Sequence, residues 1–344
     1  MVLFIVAALA LVACGGGKKK AAAKVDPTTS SAPTIPTTTT TTAPPVFPLT
    51  GVLATDAARL KRVALIVKID NSNAARPQSG LNEADIVVEE EVEGGITRLA
   101  AIFQSGDSSP VGPVRSARST DIAVASELNH PLFAYSGANQ IFLDQVHAAP
   151  LVDVGADAAG GEYRRDNKRS APDNLYSDTT KLFDHAPPDA GPPPKLFTYR
   201  PAGQPATGAA IAPLTHVGVT FTGGGTRVTW DWDAASGTWK RGMNGTVHAD
   251  AAGKQVSPKN VVIRFVPYHN VPGIKDPAGA PVPEADLVGQ GEAWLLSDGQ
   301  VVKGTWSKAS AAAPTAYVDA SGAPFLLAQG QTWIELAQPG SAAP

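Results

Sequence analysis

The chain has 344 residues, a length that suits two domains better than one, and 43% of them are hydrophobic, ample for buried cores. A formal net charge of −3 supplies no global field for nucleic acid, so any anion recognition must be local. The single cysteine, Cys14, excludes intrachain disulfides and any multi-cysteine zinc or iron–sulfur centre.

The first segment, "MVLFIVAALALVAC", is an apolar run of signal-peptide length, too short to span a bilayer. It ends in Leu11-Val12-Ala13-Cys14, which resembles the bacterial lipobox, whose cysteine is lipidated and becomes the mature N-terminus. An ordinary signal peptide with an incidental cysteine is the alternative. No basic residue precedes Val2, which points to a start further upstream. Residues 1–14 are thus read as a signal peptide, and Lys18, Lys19 and Lys20 stand beside the anchor, either facing anionic headgroups or simply solvated. Residues 15–47 are expected to be a disordered stalk. Their Thr, Pro, Ser and Ala content buries too little apolar surface to repay ordering, and extended at about 3.1 Å per residue they reach on the order of 100 Å. The composition also permits glycosylation.

The folded part begins near "FPLTG". "VALIVKID" (63–70) has the continuous apolar pattern of a buried strand, and "ADIVVEEEVEGGITRLAAIF" (84–103) reads as strand, Glu-Gly-Gly turn and strand. "STDIAVASEL" (119–128) is a helix opening on Ser119 or Thr120 with Asp121 in its first turn. "PLFAYSGAN" is a strand entering a glycine turn, followed by a short helix in "NQIFLDQVHA". This alternation predicts an α/β domain over 48–200, a mixed layered β-sheet with helices. Pro- and Gly-rich sequence over 187–213 reads as an extended arm and then a linker at 201–213. Short Val- and Trp-rich alternating segments come next, so residues 214–338 are expected to form a mainly-β C-terminal domain, with 339–344 a disordered tail. The tryptophans in these strands suit core or edge packing better than sugar stacking.

No His-Glu-x-x-His, Walker loop, Gly-x-Ser-x-Gly or Ser-x-x-Lys occurs, and the six histidines have no metal-ligand spacing. No catalytic residue, metal or cofactor is therefore assigned. Asp70, Glu83, Asp85, Glu89 and Glu93 can supply paired carboxylates, but turn formation and pairing with arginines is their simpler role. "VGPVRSARS" (111–119) is the sharpest feature, with Arg115 and Arg118 three residues apart behind a Gly-Pro turn and ahead of the helix. Two guanidiniums there can fork onto a carboxylate or phosphate, or can pair with Glu89, Glu93 or Asp121 and tie sheet to helix. "RRDNKR" (164–169) adds further positive charge, while Arg98, inside a strand, reads as structural.

"DNSNAARPQSGLNEADIV" (70–87), "EVEGGITRLAAIF" (91–103) and "VGPVRSARS", in this order, resemble the YerB-like bacterial lipoprotein family. "APDNLY" (171–176), "TWKRGMNGTVHAD" (238–250) and "GQTWIEL" (330–336) resemble its later signatures. The chain departs from the family pattern at Asp173, where the family carries His before "NLY". The resemblance implies a two-part extracytoplasmic lipoprotein and no activity, the family being one of unknown function. The candidate ligand-binding set is Arg115 and Arg118 with Arg76, Asp70, Asn71, Glu89, Glu93, Arg169, Asn174 and Tyr176. The reading is a membrane-held envelope protein, anchored through Cys14, that recognises an anionic cell-wall polymer or a partner protein and not nucleic acid. An extracytoplasmic hydrolase or transferase using Asp/Glu acid–base chemistry is the alternative.

Overall fold

The computed structural model describes residues 44–221 and 225–344; Cys14, the lipobox-like run and the stalk up to residue 43 lie outside them. After a short helix α1 (Ala57–Leu60), the apolar run becomes strand β1 (Leu65–Asp70). The next motif becomes β2 (Ile86–Glu91) and β3 (Thr97–Phe103), joined through Glu93–Gly95. Gly94 and Gly95 have φ of 74° and 70°, a region that only a residue without Cβ enters freely, so this turn needs them. The two expected helices are α2 (Ser119–Ala125) and α3 (Gln140–Ala148), on either side of β4 (Leu132–Ala134). Asp121 Oδ2 accepts the Arg118 backbone N–H at 2.7 Å and Asn139 caps α3, which fixes both helix starts. The segment continues through β5 (Val152–Asp153), β6 (Arg164–Arg165), β7 (Leu175–Tyr176), α4 (Thr179–Phe183) and β8 (Thr198–Tyr199).

From residue 211 onward the named elements are all strands. β9 (Ile211–Pro213), β10 (His216–Thr220), β11 (Arg227–Asp233), β12 (Thr238–Met243) and β13 (Thr246–Val247) come first. Then come β14 (Asn260–Phe265), β15 (Tyr268–Lys275), β16 (Pro281–Ala285), β17 (Gly289–Ser297) and β18 (Gln300–Lys308). β19 (Ala316–Asp319), β20 (Leu326–Leu327), β21 (Thr332–Ala337) and β22 (Ala342–Ala343) complete the chain. The fold is thus a mixed sheet with few helices, and its C-terminal part is mainly β.

The large sheet runs β19-β18-β17-β14-β21-β2-β3-β1-β4-β5, with β9 beside β18. β21 lies parallel to both β2 and β14, so strands from the first and second halves of the sequence meet in one sheet. β1, β2 and β3 are buried along their whole length because both faces are covered. One face packs Leu65, Val67 and Ile69 with Trp230 and Trp239 of a second sheet, β13-β12-β11-β10-β22. The other packs Ile66, Val88 and Ile102 with Ala125 and Leu128 at α2 and Val146 of α3. β10 to β12 alternate buried and accessible residues, as strands with one wet face do. Trp230, Trp239 and Trp306 are fully buried, and the Trp306 Nε1–H donates to Phe265 O at 2.8 Å, so these indoles are core rather than a sugar platform.

Three expected boundaries move. Stalk character does not extend to residue 47, since Val46 bridges Leu53 and Phe47 is buried. The linker at 201–213 ends in β9, which pairs with β18. The tail at 339–344 closes the second sheet instead of fraying, because Ala342 and Ala343 pair with Val219 and Gly218. In each case the backbone finds a ladder partner that composition alone does not announce.

Candidate functional site

β2 reads Ile-Val-Val-Glu-Glu-Glu, and all six residues are buried. Buried glutamates persist only where each is paired. Alternation along the strand sends Glu90 to the helix-side face and Glu89 to the face against the second sheet. On the helix side, Lys68 Nζ bridges Glu90 and Asp121, 2.6 Å from the latter. Burial, reinforced by Asp121 and opposed by Lys68, pushes the Glu90 carboxyl up to about 7. Beside it Arg118 closes its fork on Glu93, Nε and Nη2 donating at 2.6 and 2.8 Å, while Nη1 donates to Ala117 O. The Arg118 contacts outweigh burial and hold Glu93 below the ordinary carboxylate range. Arg98 is buried on β3, opposite Asp70, and gives one N–H to Ser116 O at 3.1 Å. Burial first and Arg118 second lower it to about 10, against the pull of Asp70 and Glu93.

On the opposite face the polar groups form a closed ring. Arg241 donates to Glu89 through Nη2 and to His248 Nδ1 through Nη1. His248 Nε2 meets Gln78 Oε1 at 2.9 Å, Gln78 Nε2 donates to Asn71 Oδ1 at 2.9 Å, and Asn71 Nδ2 returns to Glu89 Oε1 at 3.1 Å. Because Arg241 can only donate, His248 Nδ1 accepts and its proton sits on Nε2. Burial, then the charges of Arg241 and Arg76, push the imidazole well below its usual range, which keeps it neutral in this role. Glu335 stands beside Glu89 in the parallel register and accepts Trp230 Nε1–H at 2.8 Å, its other oxygen buried without a hydrogen-bond partner. Burial and the neighbouring Glu89 raise it well above a normal glutamate.

Loops at the same end of the sheet carry the remaining candidates. Arg115 Nε lies 2.9 Å from the Oδ2 of buried Asp70, and a quarter of its side chain is exposed. Its two terminal nitrogens have no hydrogen-bond partner among the described residues. Asp173 stands against the Asp70 carboxyl; burial, then that contact and the Asp70 charge raise it, against the pull of Arg115 and Arg169. Arg169 donates to Ala75 O and Pro77 O at 2.8 and 2.9 Å. Arg165 donates to Asn174 Oδ1 at 2.7 Å, and Asn174 Nδ2 braces the loop through Asp166 O and Arg169 O. Arg164 is forked onto Asp178 at 2.9 Å through each terminal nitrogen. Arg76, half-buried, leans on Asn73.

The structure therefore divides the candidate set. Arg115, Arg76, Arg169 and Tyr176 line or approach accessible surface, with Asp70 buried beneath Arg115. Glu89 and Asn71 belong to the enclosed ring, Glu93 and Arg118 to a buried pair, and Asn174 to a loop brace. Sequence reasoning missed Lys68, Glu90, Gln78, Asp173, Arg241, His248 and Glu335 as members of this charged end. For Lys68, an isolated charge inside "VALIVKID", the signal was present, because a lysine in a buried strand demands a carboxylate.

Two family models match the chain: the N-terminal domain of a protein of unknown function, DUF3048, over residues 49–190 and its C-terminal domain over residues 217–334. The chain is 30% identical over 296 residues to "Putative lipoprotein YerB" of Bacillus subtilis (strain 168), covering 84% of this chain and 85% of the relative. It also matches the crystal structure of the YerB protein from Bacillus subtilis with a TM-score of 0.71 and 26% identity, over 87% of this chain and 98% of the other. With both domain models in order and a relative matched along most of its length, the chain belongs to the YerB-like DUF3048 family, a family of unknown function.

Proposed function

We propose that the protein is a lipid-anchored module of the cell envelope that binds an anionic wall polymer through Arg115. The observation that carries this reading is the contrast within "VRSAR". Arg118 spends its fork on Glu93, whereas Arg115 is ion-paired with buried Asp70 but makes no side-chain hydrogen bond among the described residues and keeps a quarter of its side chain exposed. A partly exposed guanidinium whose N–H groups are not spent on protein acceptors suits bidentate capture of a phosphate or carboxylate. Anchoring through Cys14 draws support from the lipobox-like "LVAC" and from the name of the YerB relative. The test is co-sedimentation of the purified protein with anionic wall polymer, with and without Arg115→Ala. Binding that survives the substitution unchanged removes Arg115 from the site. Palmitate labelling of Cys14→Ala tests the anchor, and unchanged labelling excludes it.

One observation favours a second reading, acid–base chemistry on the wall. Asp173 stands against the Asp70 carboxyl beside Arg115, and burial and that neighbour raise it, which is how a carboxyl is made into a general acid. Wall fragments released by the protein and not by Asp173→Asn would establish this reading; no release by either leaves the binding module.

A further inference from the structure

We infer that the β6–β7 hairpin forms the wall of a second ligand seat, one that takes a sugar unit bearing an anionic substituent. A cavity of about 490 Å³, within the range of small-molecule clefts, opens between this hairpin and the loops around Pro77 and Pro110. Arg165, Arg169 and Tyr176 line it.

The way its arginines are held identifies the ligand class. Arg169 is fixed by two backbone carbonyls and Arg165 by the amide oxygen of Asn174. All three acceptors are neutral, so the guanidiniums are oriented without being neutralised, and the ordering of two flexible side chains is complete before a ligand arrives. Arg164, by contrast, is cancelled by Asp178. Asp166 is the carboxylate in the lining, and its Oδ1 already accepts the Lys168 backbone N–H. Two uncancelled guanidiniums against one carboxylate leave the seat positive.

The other walls are those of a saccharide site. Tyr176 is only 7% exposed, and among the described residues its hydroxyl has no hydrogen-bond partner although it lines the cavity. A largely buried ring whose hydroxyl opens to the cavity without a protein partner, lining it together with Pro77 and Pro110, presents an apolar surface for a sugar ring and a polar group for its hydroxyls. A small inorganic anion would leave both unused. The seat also adjoins the Arg115 site, since Asp173 lies within electrostatic reach of both Arg115 and Arg169. The inference thus deepens the anionic-polymer reading: successive charged units of one chain would occupy the two seats.

The test is calorimetric titration of the detergent-solubilised full chain with glucose 6-phosphate, glucuronate, glucose and inorganic phosphate. Either anionic hexose should bind at least tenfold more tightly than glucose and than inorganic phosphate, and the better of the two identifies the substituent. Arg165→Gln should weaken that binding at least tenfold and Tyr176→Phe several-fold. Arg164→Gln should change it less than twofold, with thermal unfolding confirming that all three variants fold. Absence of binding by both anionic hexoses, equal binding of glucose or phosphate, or indifference to Arg165→Gln overturns the inference. Hexose-phosphate binding that persists while Arg115→Ala leaves polymer binding unaltered would sink the Arg115 reading and keep this seat. Polymer binding that depends on Arg115, with no monosaccharide bound, would do the reverse.

Discussion

Two sets of arginines at one end of the same sheet are held in opposite ways. Arg241 and Arg118 are buried against carboxylates, Glu89 and Glu93, whose charge they cancel. Arg165 and Arg169 are positioned at the surface by an amide and two backbone carbonyls that cancel nothing. The first arrangement fixes the structure with its charge already cancelled; the second keeps its charge available. The presence of an arginine therefore says less than the nature of the acceptor that orients it. Substitutions in the two sets should separate stability from binding.

The largest expected effect is at Arg241. Arg241→Leu leaves Glu89 and Glu335 enclosed without their cation and opens the ring that joins Asn71, Gln78 and Glu89 to His248. A loss of about 3–5 kcal/mol is expected, read as the shift in urea unfolding. A variant within about 1 kcal/mol of the parent would mean that the ring contributes little. Arg118→Ala removes the two-pronged contact from Glu93 and should cost about 2–3 kcal/mol. Anion binding by the fraction that remains folded should be unchanged, and a binding defect without destabilisation would move Arg118 back among the ligand residues.

The same buried groups set opposed pH dependences. His248 is held neutral well below its ordinary value near 6.5, so below that pH the unfolded chain takes up a proton that the native state refuses. Its contribution is present above about pH 6.5 and is lost on acidification. Glu90, raised to about 7 from an ordinary 4.5, acts the other way: its contribution is full below about pH 4.5 and is lost as pH rises through 7. His248→Gln should lower the melting temperature at pH 7.5 but flatten its fall between pH 6.5 and 5, in a smaller change than either arginine loss. A parental acid limb in this variant would assign that limb to other groups.

Local pattern made much of the framework legible. The apolar run at 63–70, the Glu-Gly-Gly turn and the caps at Asp121 and Asn139 each specify structure within a few residues. The charged end was legible only on one side. Pairing of Arg118 with Glu93 stood among the alternatives in the sequence, and Arg115 was seen as its neighbour but meets Asp70 instead. "IVVEEE" looks like a strand running out into water, because the residues that bury it come from elsewhere. Arg241, His248 and Glu335 reach it only through the parallel pairing of β2 with β21 and the second sheet lying across that face, and neither has a local signature. Tertiary pairing of polar groups has no periodicity from which it could be read.

The smallest stability effect, and the most discriminating one, is expected at Arg115. Its partner Asp70 is buried, but Asp70 keeps the Ser72 backbone N–H at 3.0 Å when the guanidinium is lost. Arg115→Lys retains a positive charge near Asp70 on a side chain already one-quarter exposed, so folding should change by no more than about 1 kcal/mol. Binding should respond much more strongly. An ammonium drawn toward Asp70 cannot present a planar fork, and a charge-assisted contact of about 1.5–3 kcal/mol corresponds to roughly tenfold or more in affinity. Thermal unfolding and polymer binding measured on the same preparation separate the outcomes. A stable variant that binds weakly places Arg115 with Arg165 and Arg169, among arginines kept for a ligand. A destabilised variant that binds normally places it with Arg118 and Arg241, and its guanidinium would then have no part in recognition.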